Sequence, residues 1–307
     1  MQLRREVGLW GAVLTLVTLG GIRRSNRTNT VIVAMTLSVL GFFVLAGLSQ
    51  AIGNAAENFV PFLVPQAGEG PLQALLHATA LMFVAYTGYG RIATLGEEVH
   101  DPQRTIPRAI MATLVVSAVL YVAVAFVAIA VVGAPQYAAY TTTTAAPLEA
   151  IAQTYGIPGA GLILAVGAMT AMLGVLLNLI LGLSRVLLAM GRRGDMPAAT
   201  ARIDPVSATP RVAVVVMAVA IGLLVLVGSV KLTWSFSAFT VLVYYAINNL
   251  AALRLPADLR RFPHWIAWGG LAACLFLAFW VEVAVWVVGI AVIGAGLLAR
   301  WMFKRRV

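Results

Sequence analysis

The chain has 307 residues, 61% of them hydrophobic and only 10% charged, with a mean hydropathy of +0.95. So little charge over this length excludes an ordinary soluble domain and points to a polytopic membrane protein. The net charge of +10 does not signal nucleic acid, because the basic residues sit in short connections between apolar runs, where they set topology.

Nine runs approach the length needed to cross a bilayer. In chain order they are Val7–Ile22, Thr30–Gly53, Leu72–Leu95, Ala109–Val132, Gly159–Met190, Val212–Val230, Trp234–Leu255, Trp265–Trp280 and Val283–Trp301. The first, eighth and ninth are short, and the fifth is long enough to extend past the membrane. No cleaved leader is expected, since Val7–Ile22 lacks a small-residue cleavage site. The single cysteine, Cys274, lies inside an apolar run and supports neither a disulfide nor a thiolate metal site. The sequence contains no GxxxxGK[ST], HExxH, GxSxG or CxxC pattern, and no paired Asp, His or Ser constellation at mid-span depth, so an enzyme is not expected.

The third run carries the most information. It passes into Thr87-Gly88-Tyr89-Gly90, where two glycines weaken the helix in mid-span. It leaves the bilayer at Glu97-Glu98, turns through Asp101-Pro102 and re-enters at Pro107-Arg108. A helix broken halfway across a bilayer exposes backbone groups that lipid cannot satisfy, so it is tolerated only where it lines a cavity. Secondary transporters build substrate sites in this way. The competing reading is that Gly88 and Gly90 only permit close helix packing.

Charge alternates along the connections. Arg23, Arg24 and Arg27 follow the first run, Arg104 and Arg108 the third, and Arg185, Arg192, Arg193, Arg202 and Arg211 mark the end of the fifth. Arg254, Arg260 and Arg261 follow the seventh, and Arg300, Lys304, Arg305 and Arg306 end the chain. The connections between carry almost no Lys or Arg. The basic faces and the C-terminus are therefore expected in the cytoplasm. Nine crossings then put Met1 outside beside Arg4 and Arg5, which an odd number of further spans upstream would repair.

Four segments carry a family resemblance. AYTGYGRIATLGEEVHDPQRTIPRAI, which ends at Ile110, resembles the sixth helix and following loop of the amino acid–polyamine–organocation permease superfamily. SRVLLAMGRRGDMPAATARIDPVSATP (Ser184–Pro210) is similar to the end of that family's eighth helix and its loop. NNLAALRL (Asn248–Leu255) resembles the end of the tenth helix, and GIRRSNRTNTVIVAMTLSVL (Gly21–Leu40) the join of the fourth and fifth. The resemblance implies an all-α polytopic membrane helix bundle with the inverted-repeat transporter fold. Residues 1–307 would form a single permease domain matching helices four to twelve, without the first three. The absent part would include the first helix, whose Gly-rich break faces the sixth and binds the substrate carboxylate.

The resemblance also implies a substrate site on Phe83, Val84, Ala85, Tyr86, Thr87, Gly88 and Tyr89. If the outer half-helix ends near Thr87, the carbonyls of Val84, Ala85 and Tyr86 lose their helical partners and form a partly negative rim suited to an ammonium group, with Tyr86 or Tyr89 as a gate. Arg91 lies just inside the break and points to a cytoplasmic vestibule or approaches the substrate pathway. Glu97 and Glu98 read as interface anchors, with a proton relay as the alternative. For ion coupling, some proton-coupled relatives carry a lysine where Thr36 aligns. Thr36 and Thr170 are the candidate oxygen ligands for Na+, against the ordinary habit of helical threonines of bonding the preceding turn. H+ coupling and exchange without an ion stay open. Asn178 and Asn249 are expected to hydrogen-bond between spans. His77 reads as interfacial, Glu282 as facing outside water from the tight turn between the last two spans, and Trp265, Trp280 and Trp301 as an aromatic belt.

The function expected is secondary active transport of an amino acid across the cytoplasmic membrane by alternating access. Phe83–Ile92 contains no acid, which favours a neutral substrate. The alternatives are a polyamine or organic amine exchanger, and a transport-inactive truncated permease fragment; without the partner helix, residues 1–307 alone are expected to show no uptake in liposomes. Partners are the substrate and membrane lipid, with no nucleic acid, no metal and no cofactor beyond a coupling ion, H+ or Na+.

Overall fold

In the computed structural model, residues 22–60, 70–89, 99, 101–144, 146–205, 209–226, 230–258, 260 and 262–304 are described. The first predicted run, Val7–Ile22, lies outside them except for its last residue. The described residues are helical, with one isolated bridge between Asp204 and Thr209 and no strand. The α-helices are α1 (Ile22–Asn58), α2 (Pro71–Met82), α3 (Pro102–Val132), α4 (Ala134–Thr143), α5 (Pro147–Gln153), α6 (Ala160–Arg192), α7 (Arg211–Val225), α8 (Val230–Leu253), α9 (His264–Ala278) and α10 (Val283–Lys304). Short 3-10 helices occupy Phe83–Tyr89 and Ala198–Ala201.

The other eight predicted runs each meet a helix where they are described, residues 90–95 of the third and 227–229 of the sixth lying outside the description. Four helices have both the length and the apolarity to cross a membrane alone: α1, α3, α6 and α8. The last two predicted runs, α9 and α10, are joined at a short break and turn by 118°. At 1.5 Å per residue α9 is about 22 Å long, short of a hydrocarbon core about 30 Å thick. By length and apolarity four helices qualify among the described residues, or five if the bent pair makes one span, and Val7–Ile22 and residues 90–95 of the third run fall outside that count. The connection expected as a loop at Gly133–Ile157 is also folded, into α4 and α5. Pro135 and Pro147 stand in their first turns, where a missing N–H costs nothing. α3 starts at Pro102 rather than re-entering at Pro107, and Pro107 lies inside it.

The chain divides into two compact units. One comprises residues 1–62 and 90–226, the other residues 63–89 and 227–307. In the first, α1 packs along both α3 and α6, and α6 receives α5, α7 and the 3-10 turn at Ala198–Ala201. Small residues make these approaches close. A methyl on Gly167 or Gly174 of α6 would overlap Val39 or Ile32 of α1, and one on Gly191 would strike Thr200 and the Ala201 backbone. Among lipids there is little hydrophobic gain in pairing helices, so close van der Waals packing through glycine takes over. One core gathers Phe43, Val127, Ile151 and Tyr155, and a second Leu177, Ile180 and Val214. Met111, Val115, Val119, Val122 and Phe126 form an exposed stripe at three- and four-residue spacing along α3, an arrangement suited to lipid. Apolar exposure of this extent fits a multi-pass membrane protein.

In the second unit, α8 is the central helix. It packs on α9, α10 and the Phe83–Tyr89 segment, and α2 contacts α9 and that same segment. Its core holds Ala80, Ala238, Phe239, Leu242, Cys274 and Val285.

Candidate functional site

The site segment belongs wholly to the second unit. α2 keeps α-helical winding to Met82, where the Phe83 amide still donates to the Thr79 carbonyl, and Phe83–Tyr89 then tightens into a 3-10 helix. The sequence places the break at the glycines, but the change of winding begins four residues before Thr87. Winding at three residues per turn eclipses side chains three apart. Positions 83, 86 and 89 therefore share one face, and 84 and 87 the next.

A change of helix type leaves carbonyls without their usual partners, and lipid offers none. Side chains supply them here. The Trp234 indole N–H donates to the Leu81 carbonyl at 3.1 Å, the Thr87 hydroxyl to the Val84 carbonyl at 2.7 Å, and the Tyr245 hydroxyl to the Thr87 carbonyl at 3.3 Å. The expectation that the Val84, Ala85 and Tyr86 carbonyls lose their partners is corrected at Val84, whose carbonyl accepts from the Thr87 hydroxyl. Trp234 and Tyr245 stand on one face of α8, about three turns apart. Sequence reasoning missed both. The available signal was a pair of polar-tipped aromatics inside an apolar run, which must find acceptors when buried.

The candidate residues do not all face the same way. Phe83 and Val84 pack against the core of this unit, with the Phe83 ring edge-on to Tyr245 at a centroid distance of 5.7 Å. Ala85, Tyr86 and Thr87 are half-buried and Gly88 is exposed. A Cβ on Gly88 would meet no atom within 4 Å among the described residues, and its φ is not left-handed. Close packing therefore does not require glycine at 88. The side chain of Tyr89, together with Gly90, Arg91, Glu97 and Glu98, lies outside the described residues.

The candidate ion ligands sit in the first unit on facing helices. Thr36 of α1 donates to its own Ile32 carbonyl at 2.9 Å, and Thr170 of α6 to Val166 at 2.7 Å. Thr170 also reaches the Met35 sulfur at 3.6 Å, so α1 and α6 bring the two threonines to one level. Both hydroxyls make the preceding-turn bond, which leaves their oxygen lone pairs available. One turn or two further on, the Asn178 amide donates to Asn29 Oδ1 at 2.7 Å and to the Gly174 carbonyl at 2.9 Å. That is the interhelical bond expected of Asn178. Asn249 behaves otherwise: it donates to the Tyr245 carbonyl of its own helix at 2.9 Å, and its amide rests on Gly270 of α9.

Other expected features take ordinary positions. His77 is half-buried on α2, and Glu282 is exposed in the turn between α9 and α10. Trp265 is exposed and Trp280 half-buried, while the side chain of Trp301 lies outside the described residues. Asp101, at the head of α3, is left-handed with φ 47° and pairs with Arg104 at 3.9 Å. The connection after α6 is tied by Arg211 to Asp204 at 3.2 Å.

Residues 8–302 match the family model described as amino acid permease. An uncharacterised transporter of Mycobacterium tuberculosis is 38% identical over 93% of this chain and 63% of its own length. A branched-chain amino acid permease of Bacillus subtilis is 28% identical over 63% of this chain and 39% of its own. A vacuolar cationic amino acid transporter of Arabidopsis thaliana is 26% identical over 80% and 40% respectively. The chain thus spans under two-thirds of the length of these relatives.

Proposed function

The chain belongs to the amino acid permease family, and on that premise we propose that it serves secondary transport of a neutral amino acid by alternating access, with Phe83–Tyr89 contributing to the substrate site. The carrying observation is where acids are missing. Among the described residues, α2, the Phe83–Tyr89 helix, α3, α6, α7, α8, α9 and α10 contain no Asp or Glu, and Glu57 lies in the last turn of α1. A substrate with net positive charge needs a counter-charge when it leaves water. A zwitterion does not: its ammonium is met by backbone carbonyls at a helix end, and its carboxylate by amides at another.

The 3-10 winding supports this placement. It turns Thr87 and its carbonyl towards α8 and leaves the half-buried Tyr86 one face away, so an aromatic gate and the helix-end carbonyls lie within two residues of each other. The name of the B. subtilis relative agrees with a neutral substrate, and that of the A. thaliana relative favours a cationic one. Thr36 and Thr170 are proposed as oxygen ligands for Na+, with H+ coupling as the alternative, and the basic connections and C-terminus are proposed to face the cytoplasm.

The test is uptake of radiolabelled leucine, lysine and putrescine into vesicles from cells expressing residues 1–307 preceded by the three N-terminal helices expected of the family, against vesicles lacking it. Saturable leucine uptake, competed by unlabelled neutral amino acids and lowered at least tenfold by Tyr86→Ala, is expected. Preference for lysine or putrescine overturns the neutral reading, and the absence of any uptake overturns transport by this chain. Replacing Na+ by choline separates the two coupling ions.

A further inference from the structure

A concave feature lies in the unit built on α8, away from the Phe83–Tyr89 segment. Beyond Leu253 the end of α8 and the start of α9 flank an open cleft of about 280 Å³ lined by Asn249, Leu255, Arg260, Phe262, His264 and Ile266, among others. Nothing in the transport reading uses it.

Arg260 is held ready in this cleft. Its Nε and Nη2 both donate to the Leu255 carbonyl, at 3.3 and 3.1 Å, which folds the side chain under the end of α8. Among the described residues its Nη1 has no acceptor and keeps two protons for a ligand. A guanidinium already fixed in place loses little rotamer freedom on binding, and its planar fork suits phosphate oxygens. His264 adds a ring N–H to the lining, and Asn249 an amide. Asp258 is the one acid between Leu253 and His264; it is exposed, forms no ion pair with Arg260 and does not line the cleft.

The surroundings are those of a membrane interface. Phe262, Trp265 and Trp268 are 58%, 72% and 60% exposed around the basic residues. Exposed aromatic rings next to arginine suit the headgroup level of a bilayer, where the ring body meets acyl chains and the charge meets phosphate. The lining divides the same way, with Leu255, Phe262 and Ile266 beside Arg260 and His264.

We propose that this cleft binds the phosphate of an anionic phospholipid, with Arg260 as its principal ligand and His264 and Asn249 beside it. Basic pockets between membrane helices hold lipid headgroups through the same chemistry. An inorganic phosphate ion presents the same oxygens but has no acyl chains for the apolar half of the lining.

The test is native mass spectrometry of the purified full chain from neutral detergent, titrated with phosphatidylglycerol and separately with phosphatidylcholine. One phosphatidylglycerol is expected to be retained in preference to phosphatidylcholine. Arg260→Gln should weaken its retention by about tenfold or more, as loss of one charge-assisted bond implies. Arg260→Gln keeps a donor for the Leu255 carbonyl, so the end of α8 is preserved, and circular dichroism checks this. Arg254→Gln removes the same charge from an exposed position outside the cleft and should leave retention unchanged. Equal losses in the two variants would reduce the effect to the general basic field and overturn the site. Equal retention of the two lipids would also overturn it. Displacement of the lipid by millimolar inorganic phosphate would make it a free-anion site and overturn the lipid assignment.

Discussion

Tyr245→Phe tests whether the tightened segment is held by side-chain donors. The substitution removes the hydroxyl that donates to the Thr87 carbonyl and keeps the ring, which still meets Phe83 at 5.7 Å and Tyr244 at 5.2 Å. The bond is long, at 3.3 Å, and Thr87 is only half-buried. The loss therefore belongs at the weak end for a neutral hydrogen bond, about 0.5–1 kcal/mol. It falls on a local element, because among the described residues the segment packs chiefly on α2 and α8. Its natural readout is amide hydrogen exchange in micelles or nanodiscs. A local opening made easier by about 0.5–1 kcal/mol speeds exchange about two- to fivefold. That acceleration is expected across residues 83–89 and not in α3 or α6. Unchanged exchange at 83–89 refutes the reasoning, since Tyr245 would then hold nothing. A uniform acceleration through both units also refutes it, because the phenol would then act on the whole fold. A loss of about 2–3 kcal/mol would mean that the Thr87 carbonyl is sealed from water, contrary to a segment lining an aqueous pathway.

Tyr155→Phe should stabilise the first unit by about 1 kcal/mol, because its hydroxyl is buried against Gly47 with no hydrogen-bond partner among the described residues while its ring contact with Phe43 survives. Burial raises the Tyr155 pKa above its ordinary 10.0; the folded state then holds that proton more tightly than the unfolded chain, so stability falls as pH rises above about 10. Denaturant titrations at pH 8 and 11 should show a smaller fall in Tyr155→Phe, and an identical fall removes Tyr155 from the account. Asn29→Ala and Asn178→Ala should couple by about 0.6 kcal/mol, up to about 1.7, in a double-mutant cycle of unfolding, as amides do between membrane helices; additivity would mean the 2.7 Å bond contributes nothing. Gly167→Ala should cost about 1–3 kcal/mol through overlap with Val39, whereas Gly88→Ala should be neutral or stabilise by up to about 1 kcal/mol. Equal costs at the two glycines in the same unfolding assay would show that the two sites are not distinguished by packing.

Hydrophobic runs, basic connections and four motifs determine an all-α multi-pass permease from the sequence alone, because lipid requires every backbone group to be satisfied inside its own segment. That requirement is local, so span positions were legible: Ala109–Val132 lies within α3, and Gly159–Met190 lies within α6 except for its first residue. Helix ends outside the bilayer obey other rules. Water and prolines decide them, and α4 and α5 emerged where a loop was expected. The tertiary structure alone decided the form of the broken span. The glycines mark where a helix is weak, but the winding changes where donors from another helix arrive, and Trp234 and Tyr245 stand more than 140 residues away in the chain. The same holds for the amides. Asn178 and Asn249 are alike as sequence, yet one finds Asn29 across a glycine-lined seam and the other finds its own helix and Gly270. Which partner a buried polar group meets depends on the facing helix, and no periodicity within one span encodes that.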